Sequence, residues 1–219
     1  MVRPARPLLA ECAGTALLVG IGTGTIVAAA GHGGIPQWLM AVAWFAAVLV
    51  PIVLFVRVSG AHLNPVVTVA LRLSGRTPTV PVLEYVAAQL VGAFLGSAIV
   101  LATLGDAAHL GSTVPTAGNV ARAFGAEAVF TAALVAAVFA LSDRGEGRYR
   151  WRLALPPAAV GVSTFIIGPW SGSSLNPART IAPAVLSGTY LDLWAYLTAV
   201  PLAAVVMAIV WRSANPSAG

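Results

Sequence analysis

The chain has 219 residues, of which 58% are hydrophobic and only 9% are charged, and its mean hydropathy is +0.89. A soluble domain carries about 25% charged residues, so this composition excludes a soluble globule and predicts an integral membrane protein. The net charge of +5 reflects twelve basic residues, all arginine, against seven acidic ones. Cys12 is the only cysteine, which excludes an intrachain disulfide.

Six apolar segments have the length of about 20 residues that a membrane-spanning helix needs. In chain order they cover residues 8–30, 36–56, 85–104, 123–141, 153–170 and 193–211. Arg3 and Arg6 precede the first segment as in a signal peptide, but the run is long for a signal and contains Glu11. We therefore expect six transmembrane helices, which leave no room for a soluble catalytic domain.

One phrase, Ser-Gly-x-x-Leu-Asn-Pro, occurs at residues 59–65 and again at 171–177. The apolar stretches that follow, 66–73 and 178–186, would as helices cover half of a hydrocarbon core of about 30 Å. Asn is a favoured N-cap and Pro suits the first helical turn, so Asn64-Pro65 and Asn176-Pro177 each predict the start of a half-helix. We expect these two starts to meet near the middle of the membrane.

The arginines are distributed unequally between the two ends of the predicted spans. With both termini in the cytoplasm, only Arg122 and Arg179 lie on the opposite side. The cytoplasmic set is Arg3, Arg6, Arg57, Arg72, Arg76, Arg144, Arg148, Arg150, Arg152 and Arg212. The arginine-rich run 144–152, with Tyr149 and Trp151 at the interface, then forms a cytoplasmic loop. Because membrane topology explains the positive charge, no nucleic-acid partner is predicted.

Further similarities relate the two halves of the chain. Ala-Glu-x-x-x-Thr occurs at 10–15 and at 126–131, so Glu11 and Glu127 lie 53 and 49 residues before Asn64 and Asn176. We divide the single domain, residues 1–219, into repeats of about 1–115 and 116–219, each with three spans and one half-helix. Because three spans is an odd number, the second repeat must be inverted. Inverted repeats with interrupted segments predict a transport path at their interface.

These motifs make the chain similar to the major intrinsic proteins, the family of aquaporins and aquaglyceroporins. The resemblance covers the whole chain and lies in Ala10-Glu11-x-x-Gly14-Thr15, Ser59-Gly60-Ala61-His62-Leu63-Asn64-Pro65-Val66-Val67-Thr68, Tyr85-x-x-x-Gln89, Ala126-Glu127 and Leu175-Asn176-Pro177-Ala178-Arg179. It implies an all-α integral membrane fold, with six transmembrane helices and two re-entrant half-helices in an inverted repeat. It also implies a homotetramer in the lipid bilayer and no cofactor.

The resemblance implies that both Asn-Pro motifs form the centre of a pore. Their residues are Asn64, Pro65 and Val66 in the first motif and Asn176, Pro177 and Ala178 in the second. The Asn amides would donate to a permeating oxygen, and aquaporin-type pores are a known example of ion exclusion by an arginine and half-helix dipoles. Val66 stands where Ala is usual, so we expect a narrower or slightly shifted constriction at the midplane.

By resemblance, four residues at an extracellular constriction set selectivity. Counting from the two Asn landmarks gives Trp44, Thr164, Ser173 and Arg179. Water-selective members place His where this chain has Thr164, and glycerol facilitators combine Trp with a second aromatic residue where it has Ser173. This chain matches neither pattern, so we expect a ring wider than a water filter and more polar than a glycerol filter.

Three further ionisable residues lie within or beside the predicted spans. Glu11 and Glu127 would be costly there unless they are paired. The resemblance implies that they accept hydrogen bonds from the backbone of the re-entrant loops; a proton relay is the alternative. His62 is expected at the cytoplasmic side of the pore, and a metal site is not predicted because neighbouring ligands are lacking.

We therefore predict a passive channel, without catalysis, for water and small uncharged solutes such as glycerol, urea or metalloid acids. It is expected in the plasma (inner) membrane, and the lysine-free, arginine- and alanine-rich composition indicates a bacterial source. An inverted-repeat secondary transporter and a membrane scaffold with a closed pore are alternatives. A transporter would need coupling-ion ligands, and the sequence shows no intramembrane acidic cluster apart from Glu11 and Glu127. An enzyme would need a convergent nucleophile and base or a set of metal ligands, and the second half of the sequence offers none.

Overall fold

A computed structural model describes residues 5–76, 80–116, 119–142 and 150–215, apart from the side chains of residues 142 and 150. Arg3, Arg144, Arg148, Tyr149 and the side chain of Arg150 lie outside the described residues. The regular structure in the described part is helical throughout. Its α-helices are α1 (Ala5–Gly31), α2 (Gln37–Ser59), α3 (Pro65–Leu73), α4 (Val82–Leu104), α5 (Val120–Ser142), α6 (Leu155–Ser171), α7 (Pro177–Ser187) and α8 (Leu193–Ala214).

Six segments are long and apolar enough to cross a membrane: α1, α2, α4, α5, α8, and α6 extended back to Trp151 through the short 3₁₀ turn before it. They contain 21 to 27 residues, whereas α3 has 9 and α7 has 11. At 1.5 Å per residue the two short helices are about 14 and 17 Å long, which is half of a bilayer's apolar core. The predicted all-α fold with six membrane spans is confirmed.

The helices pack in two sets that repeat the same pattern. In the first half α1 packs against α2 and α4, and in the second half α5 packs against α6 and α8. Contacts between α2 and α6 join the halves. Each half-helix then reaches across: α3 packs on α8, and α7 packs on α4. This exchange brings the two half-helices into contact with each other at the centre of the bundle.

Two glycines allow α1 and α4 to approach closely. A Cβ atom added at Gly92 would lie 2.1 Å from the carbonyl oxygen of Cys12, and one added at Gly96 would lie 2.4 Å from that of Ala16. Real Cβ atoms cannot approach an oxygen so closely, so only glycine fits at either position. Small residues at such crossings are typical of membrane helices, which gain their stability from close packing.

With six spans, the start of α1 and the end of α8 lie on the same side of the membrane, which we call the terminal side. The described arginines beside helix ends on this side are Arg6, Arg57, Arg72, Arg76, Arg152 and Arg212. Arg122 and Arg179 belong to the opposite half of the bundle. Within the described residues the arginines are therefore concentrated on the terminal side, which is the unequal distribution that the sequence predicts.

Candidate pore

Each half-helix begins at the Asn of an Asn-Pro pair. Asn64 is the N-cap of α3, and its Oδ1 accepts a hydrogen bond of 3.1 Å from the backbone N–H of Val66. Asn176 caps α7 in the same way and accepts from Ala178 at 3.0 Å and from Arg179 at 3.4 Å. Such a cap stabilises a helix by about 1 kcal/mol. Pro65 and Pro177 are the first residues of the two helices.

The amide groups of the same two asparagines join the two re-entrant loops. Asn64 Nδ2 donates to the carbonyl oxygen of Leu175 at 2.9 Å, and Asn176 Nδ2 donates to that of Leu63 at 2.9 Å. An amide nitrogen carries two hydrogens, and among the described residues no second acceptor bonds either one. Both asparagines line a cavity, so each has one N–H that can bond an oxygen inside it.

Both loops have the same unusual backbone. Positive φ angles, between 48° and 85°, occur at Gly60, Ala61 and Leu63 and at the equivalent Gly172, Ser173 and Leu175. For a residue other than glycine this conformation costs about 1–2 kcal/mol. The surrounding structure must supply that energy, and two buried carboxylates provide bonds to the loop backbone.

Glu11 on α1 bonds to the first loop. Its carboxylate accepts hydrogen bonds from the backbone N–H groups of His62 at 2.9 Å and Leu63 at 2.7 Å. It also accepts from Ser59 Oγ and Gln89 Nε2, each at 2.7 Å. Four donors compensate a carboxylate that is fully buried in the bundle, where an unpaired charge would be very costly.

Glu127 on α5 makes the equivalent contacts with the second loop. It accepts from the backbone N–H groups of Ser174 at 2.9 Å and Leu175 at 3.0 Å, and from Ser171 Oγ at 2.8 Å. Both glutamates therefore make the contacts that the family resemblance implies. Neither glutamate lines the cavity, so Glu11 and Glu127 support the loops from outside the cavity wall.

A pair of tyrosines that the sequence motifs do not assign to the site also holds the loops. Tyr85 Oη donates to the carbonyl oxygen of Ser59 at 2.8 Å, and Tyr196 Oη donates to that of Ser171. Each serine is the last residue of its helix before a re-entrant loop. Tyr85 belongs to one of the family motifs in the sequence. Tyr196 could not be recognised as its counterpart by spacing, because Tyr196 lies 20 residues after Asn176 whereas Tyr85 lies 21 residues after Asn64.

His62 and Ser174, which precede the two Leu-Asn-Pro sequences, both line the cavity. His62 Nδ1 lies 3.1 Å from Thr68 Oγ1, and Ser174 Oγ bonds to Thr180 Oγ1. Gln89 Nε2 also donates to Thr68, at 3.0 Å. Each half-helix thus bonds to its own loop through the threonine four residues after the Asn.

The cavity has a volume of about 480 Å³ and extends from the terminal side past the midplane. Arg76, Leu141 and Pro156 belong to its wall near the terminal side. Its wall further along includes the loop residues Gly60, Ala61, His62, Leu63, Asn64, Ser174, Leu175 and Asn176, and finally Trp44 and Arg179. The two asparagines therefore lie along a continuous space inside the bundle.

Arg179 is almost completely buried, with 1% of its surface exposed, and several contacts fix its guanidinium group. Its Nη1 donates to the carbonyl oxygen of Gly111 at 2.8 Å and its Nη2 to that of Gly172 at 3.4 Å. The guanidinium carbon lies 4.6 Å from the centroid of the Trp44 ring. Nε has no hydrogen-bond partner. Two carbonyls and an aromatic face partly compensate the buried charge, and no carboxylate bonds it among the described residues.

The other two residues of the expected constriction do not line the 480 Å³ cavity. Thr164 is buried, its Oγ1 has no partner, and its carbonyl oxygen accepts from Gln37 Nε2 at 2.6 Å. Ser173 follows Gly172, and its Oγ lies 2.7 Å from Ser163 Oγ. The structure thus brings Trp44 and Arg179 into contact and places Ser173 next to a loop carbonyl that holds the arginine.

Val66 lies in a different environment from the one expected. Its side chain is buried in an apolar cluster with Val135 of α5 and Val200 of α8, whereas the cavity wall contains the neighbouring Val67. The additional methyl groups therefore fill space between helices. This arrangement differs from the expected narrowing at the midplane, because the start of α3 directs Val66 toward the bundle. Ala178 is likewise buried, in a cluster that includes Leu18.

These observations define a multi-pass membrane protein in which two half-helices meet beside an internal cavity. A family model described as Major intrinsic protein matches residues 1–211. The chain belongs to the major intrinsic protein family, as its motifs predict.

Known relatives include proteins from plants and bacteria. Aquaporin NIP1-3 of Oryza sativa subsp. japonica is 34% identical over 198 residues, which are 90% of this chain and 69% of that protein. The glycerol uptake facilitator protein of Pseudomonas aeruginosa is 36% identical over 215 residues, covering 85% of this chain and 75% of that protein. The X-ray structure of the aquaglyceroporin from Plasmodium falciparum superposes with a TM-score of 0.81 at 23% identity, over 95% of each chain. Because the identity to the Plasmodium falciparum protein is only 23%, that similarity concerns the fold alone.

Proposed function

We propose that this protein is a passive transmembrane channel for water and small uncharged solutes, and that it excludes ions and protons. The observation that carries the proposal is the pair of asparagine amides inside the cavity. Each amide uses one hydrogen to hold the opposite loop and keeps the other for a permeating oxygen. Relatives named as aquaporins and as glycerol uptake facilitators support the same function.

Ion exclusion follows from the charges around this point. The N-termini of α3 and α7 meet at the asparagines, and each contributes about half a positive charge. Arg179 adds a full charge where the cavity meets Trp44. A cation that enters loses its hydration and meets the two helix N-termini and Arg179, whereas a neutral hydroxyl or water oxygen accepts hydrogen bonds there. Neutral solutes are therefore favoured over cations and protons.

Trp44, Thr164, Ser173 and Arg179 are proposed as the selectivity filter. Small hydroxyl residues at 164 and 173 leave room that a histidine or a second aromatic residue would fill. The ring then offers an apolar wall, a fixed guanidinium and two hydroxyl groups. Such a surface suits compact solutes with several oxygen or nitrogen atoms, and we include glycerol, urea and neutral metalloid acids beside water.

The remaining features of the assembly are proposals of the same kind. We place the terminal side in the cytoplasm because the described arginines concentrate there. The channel domain consists of inverted repeats of about 1–115 and 116–219, assembles as a homotetramer and resides in the inner membrane of a bacterium. Transport involves no chemical conversion of the solute.

Osmotic flux in proteoliposomes tests the proposal. Purified protein at a measured density is compared with empty liposomes during hypertonic challenge with sucrose, glycerol, urea and boric acid. We expect fast shrinkage in sucrose, and fast re-swelling with at least one of the smaller solutes. Flux should be linear in solute concentration and independent of an ion gradient. Saturation with ion dependence would indicate a transporter, and shrinkage no faster than that of empty liposomes would indicate a closed scaffold.

A further inference from the structure

Ser163 bonds to the hydroxyl of Ser173, a residue of the proposed filter. Ser163 Oγ on α6 lies 2.7 Å from Ser173 Oγ in the second re-entrant loop. Ser163 is fully buried, and Ser173 is 4% exposed. Ser163 precedes Thr164 and therefore lies outside the set obtained by counting from the Asn motifs. Because no part of Ser163 is accessible, it cannot touch a permeating molecule and can act only through its neighbour.

The bonding of Ser163 is unusual among the helical hydroxyls of this chain. Four threonines within the spanning helices bond to the carbonyl four positions earlier at 2.7 to 2.8 Å: Thr23, Thr25, Thr103 and Thr198. That local bond is the common solution for a hydroxyl in an apolar environment. Four other buried hydroxyls of these helices have no partner: those of Thr15, Ser97, Thr131 and Thr164. Ser163 instead bonds to a residue ten positions later, on another structural element.

Either hydroxyl of this pair could be the donor, and the exposure of the two residues distinguishes the two directions. Two hydroxyls have two hydrogens, and one of these lies between the oxygens. Among the described residues neither Ser163 Oγ nor Ser173 Oγ has another bond, so one of the two hydrogens has no protein acceptor in either direction. A buried donor without an acceptor is costly, and a solute could accept a hydrogen from Ser173 but not from the fully buried Ser163, which favours donation from Ser163 to Ser173 when a solute is present. Ser173 then accepts from Ser163, and its own hydrogen stays free to be donated.

We propose that Ser163 is a positioning residue of the constriction: it holds the Ser173 hydroxyl in one rotamer and keeps its hydrogen available to the permeating solute. The inference rests on the proposed channel function and adds a fifth residue to the filter. Thr164 Oγ1 and Arg179 Nε are also buried without a partner. A solute in the ring would thus meet a hydroxyl donor at Ser173, a hydroxyl at Thr164 and a guanidinium donor at Arg179.

A double-mutant cycle tests this role. Ser163→Ala, Ser173→Ala and the double variant are reconstituted, and the ratio of glycerol to water permeability is measured. We expect Ser163→Ala to lower the ratio about 2- to 10-fold, which corresponds to the loss of one hydrogen bond. In the Ser173→Ala background the same substitution should leave the ratio unchanged. Ser97→Ala is the matched control, because Ser97 is a fully buried helical serine without a partner and lies outside the cavity wall.

The outcomes separate the inference from the proposed function. If the parent conducts and Ser163→Ala has the same effect with and without the Ser173 hydroxyl, the residues act independently and the inference is wrong. If Ser97→Ala changes the ratio as much as Ser163→Ala does, the effect is general packing, and the inference is again wrong. If the parent conducts only water, the solute part of the proposed function fails. The double-mutant cycle is then measured with water permeability and its activation energy in place of the permeability ratio. A parent that conducts nothing overturns both.

Discussion

The Trp44 ring lies between a glycine of α1 and the guanidinium of Arg179. On one side, a Cβ atom added at Gly22 would lie 2.5 Å from Cη2 of the ring. On the other, the guanidinium carbon is 4.6 Å from the ring centroid. Gly22 therefore creates the space in which the tryptophan packs against α1. If Trp44 and Arg179 form the filter as proposed, the width of the constriction depends on this contact, although Gly22 itself is not part of the filter.

Gly22→Ala should narrow the channel. The new methyl group would clash with the ring, and we expect the ring to move away from α1, toward Arg179 and the proposed pore. We expect a clear fall in glycerol and urea permeability and a smaller fall for water, measured by stopped-flow light scattering. Gly125→Ala is the control, since a Cβ atom there meets nothing within 4 Å. Equal effects of the two substitutions would contradict the proposed position of Trp44 in the pore.

Arg179→Val removes the fixed positive charge at the end of the cavity. Proton or cation leak should rise about tenfold or more, because a unit charge at close range in a partly buried site contributes several kcal/mol. Neutral flux should persist, and some exclusion should remain because both helix N-termini still oppose cations. The leak is measured with a pH-sensitive dye inside the liposomes under a potassium diffusion potential. An unchanged leak in a variant that still conducts water would show that Arg179 does not control ion entry.

Much of this architecture is predictable because its signals are local. Six apolar runs predict six spans, and the Asn-Pro pairs predict helix starts from cap preference and proline geometry. Other contacts have no such signal. The carbonyl of Gly111 that accepts from Arg179 is a backbone atom at the end of a short 3₁₀ turn, Ala107–Gly111, in which Ala108, His109 and Leu110 all have positive φ angles of 51° to 55°. No residue pattern in that segment identifies it as a partner of the arginine.

The direction of individual side chains was the least predictable feature. Val66 and Val67 are adjacent at the start of α3, yet only Val67 lines the cavity while Val66 packs between α5 and α8. The choice depends on the rotation of a short helix about its axis, which the cap and the loop bonds determine together. The Ser163–Ser173 contact has the same origin, since it depends on how α6 approaches the loop.

Val66→Ala tests where the additional methyl groups lie. Removing them from a buried cluster should lower stability by about 2 kcal/mol. Permeability to water and glycerol should not change. Thermal unfolding in detergent and liposome flux measure the two effects on one preparation. Val67→Ala is the matched comparison, because Val67 belongs to the same cluster and also to the cavity wall, and it should alter both stability and flux. A rise in flux with Val66→Ala alone would place residue 66 in the pore.

Ser173→Cys tests the register of the filter through thiol chemistry. A thiol replaces the hydroxyl with little additional bulk and provides a soft ligand for Hg(II). We expect mercury to inhibit water flux strongly in the variant and reversibly with added thiol. The parent should be largely resistant, because its only thiol, Cys12, lies on α1 outside the cavity wall.

Two controls make the mercury result specific. Ser97→Cys adds a thiol in the bundle away from the cavity, so mercury should leave its flux unchanged. Combining Ser173→Cys with Gly22→Ala should slow the onset of inhibition if mercury reaches the thiol through the constriction, because the displaced Trp44 ring narrows that route. A Ser173→Cys variant that conducts normally and ignores mercury would show that residue 173 does not face the pore. The ring of Trp44, Thr164, Ser173 and Arg179 would then need a different fourth member, and Ser163 would lose the partner through which it acts.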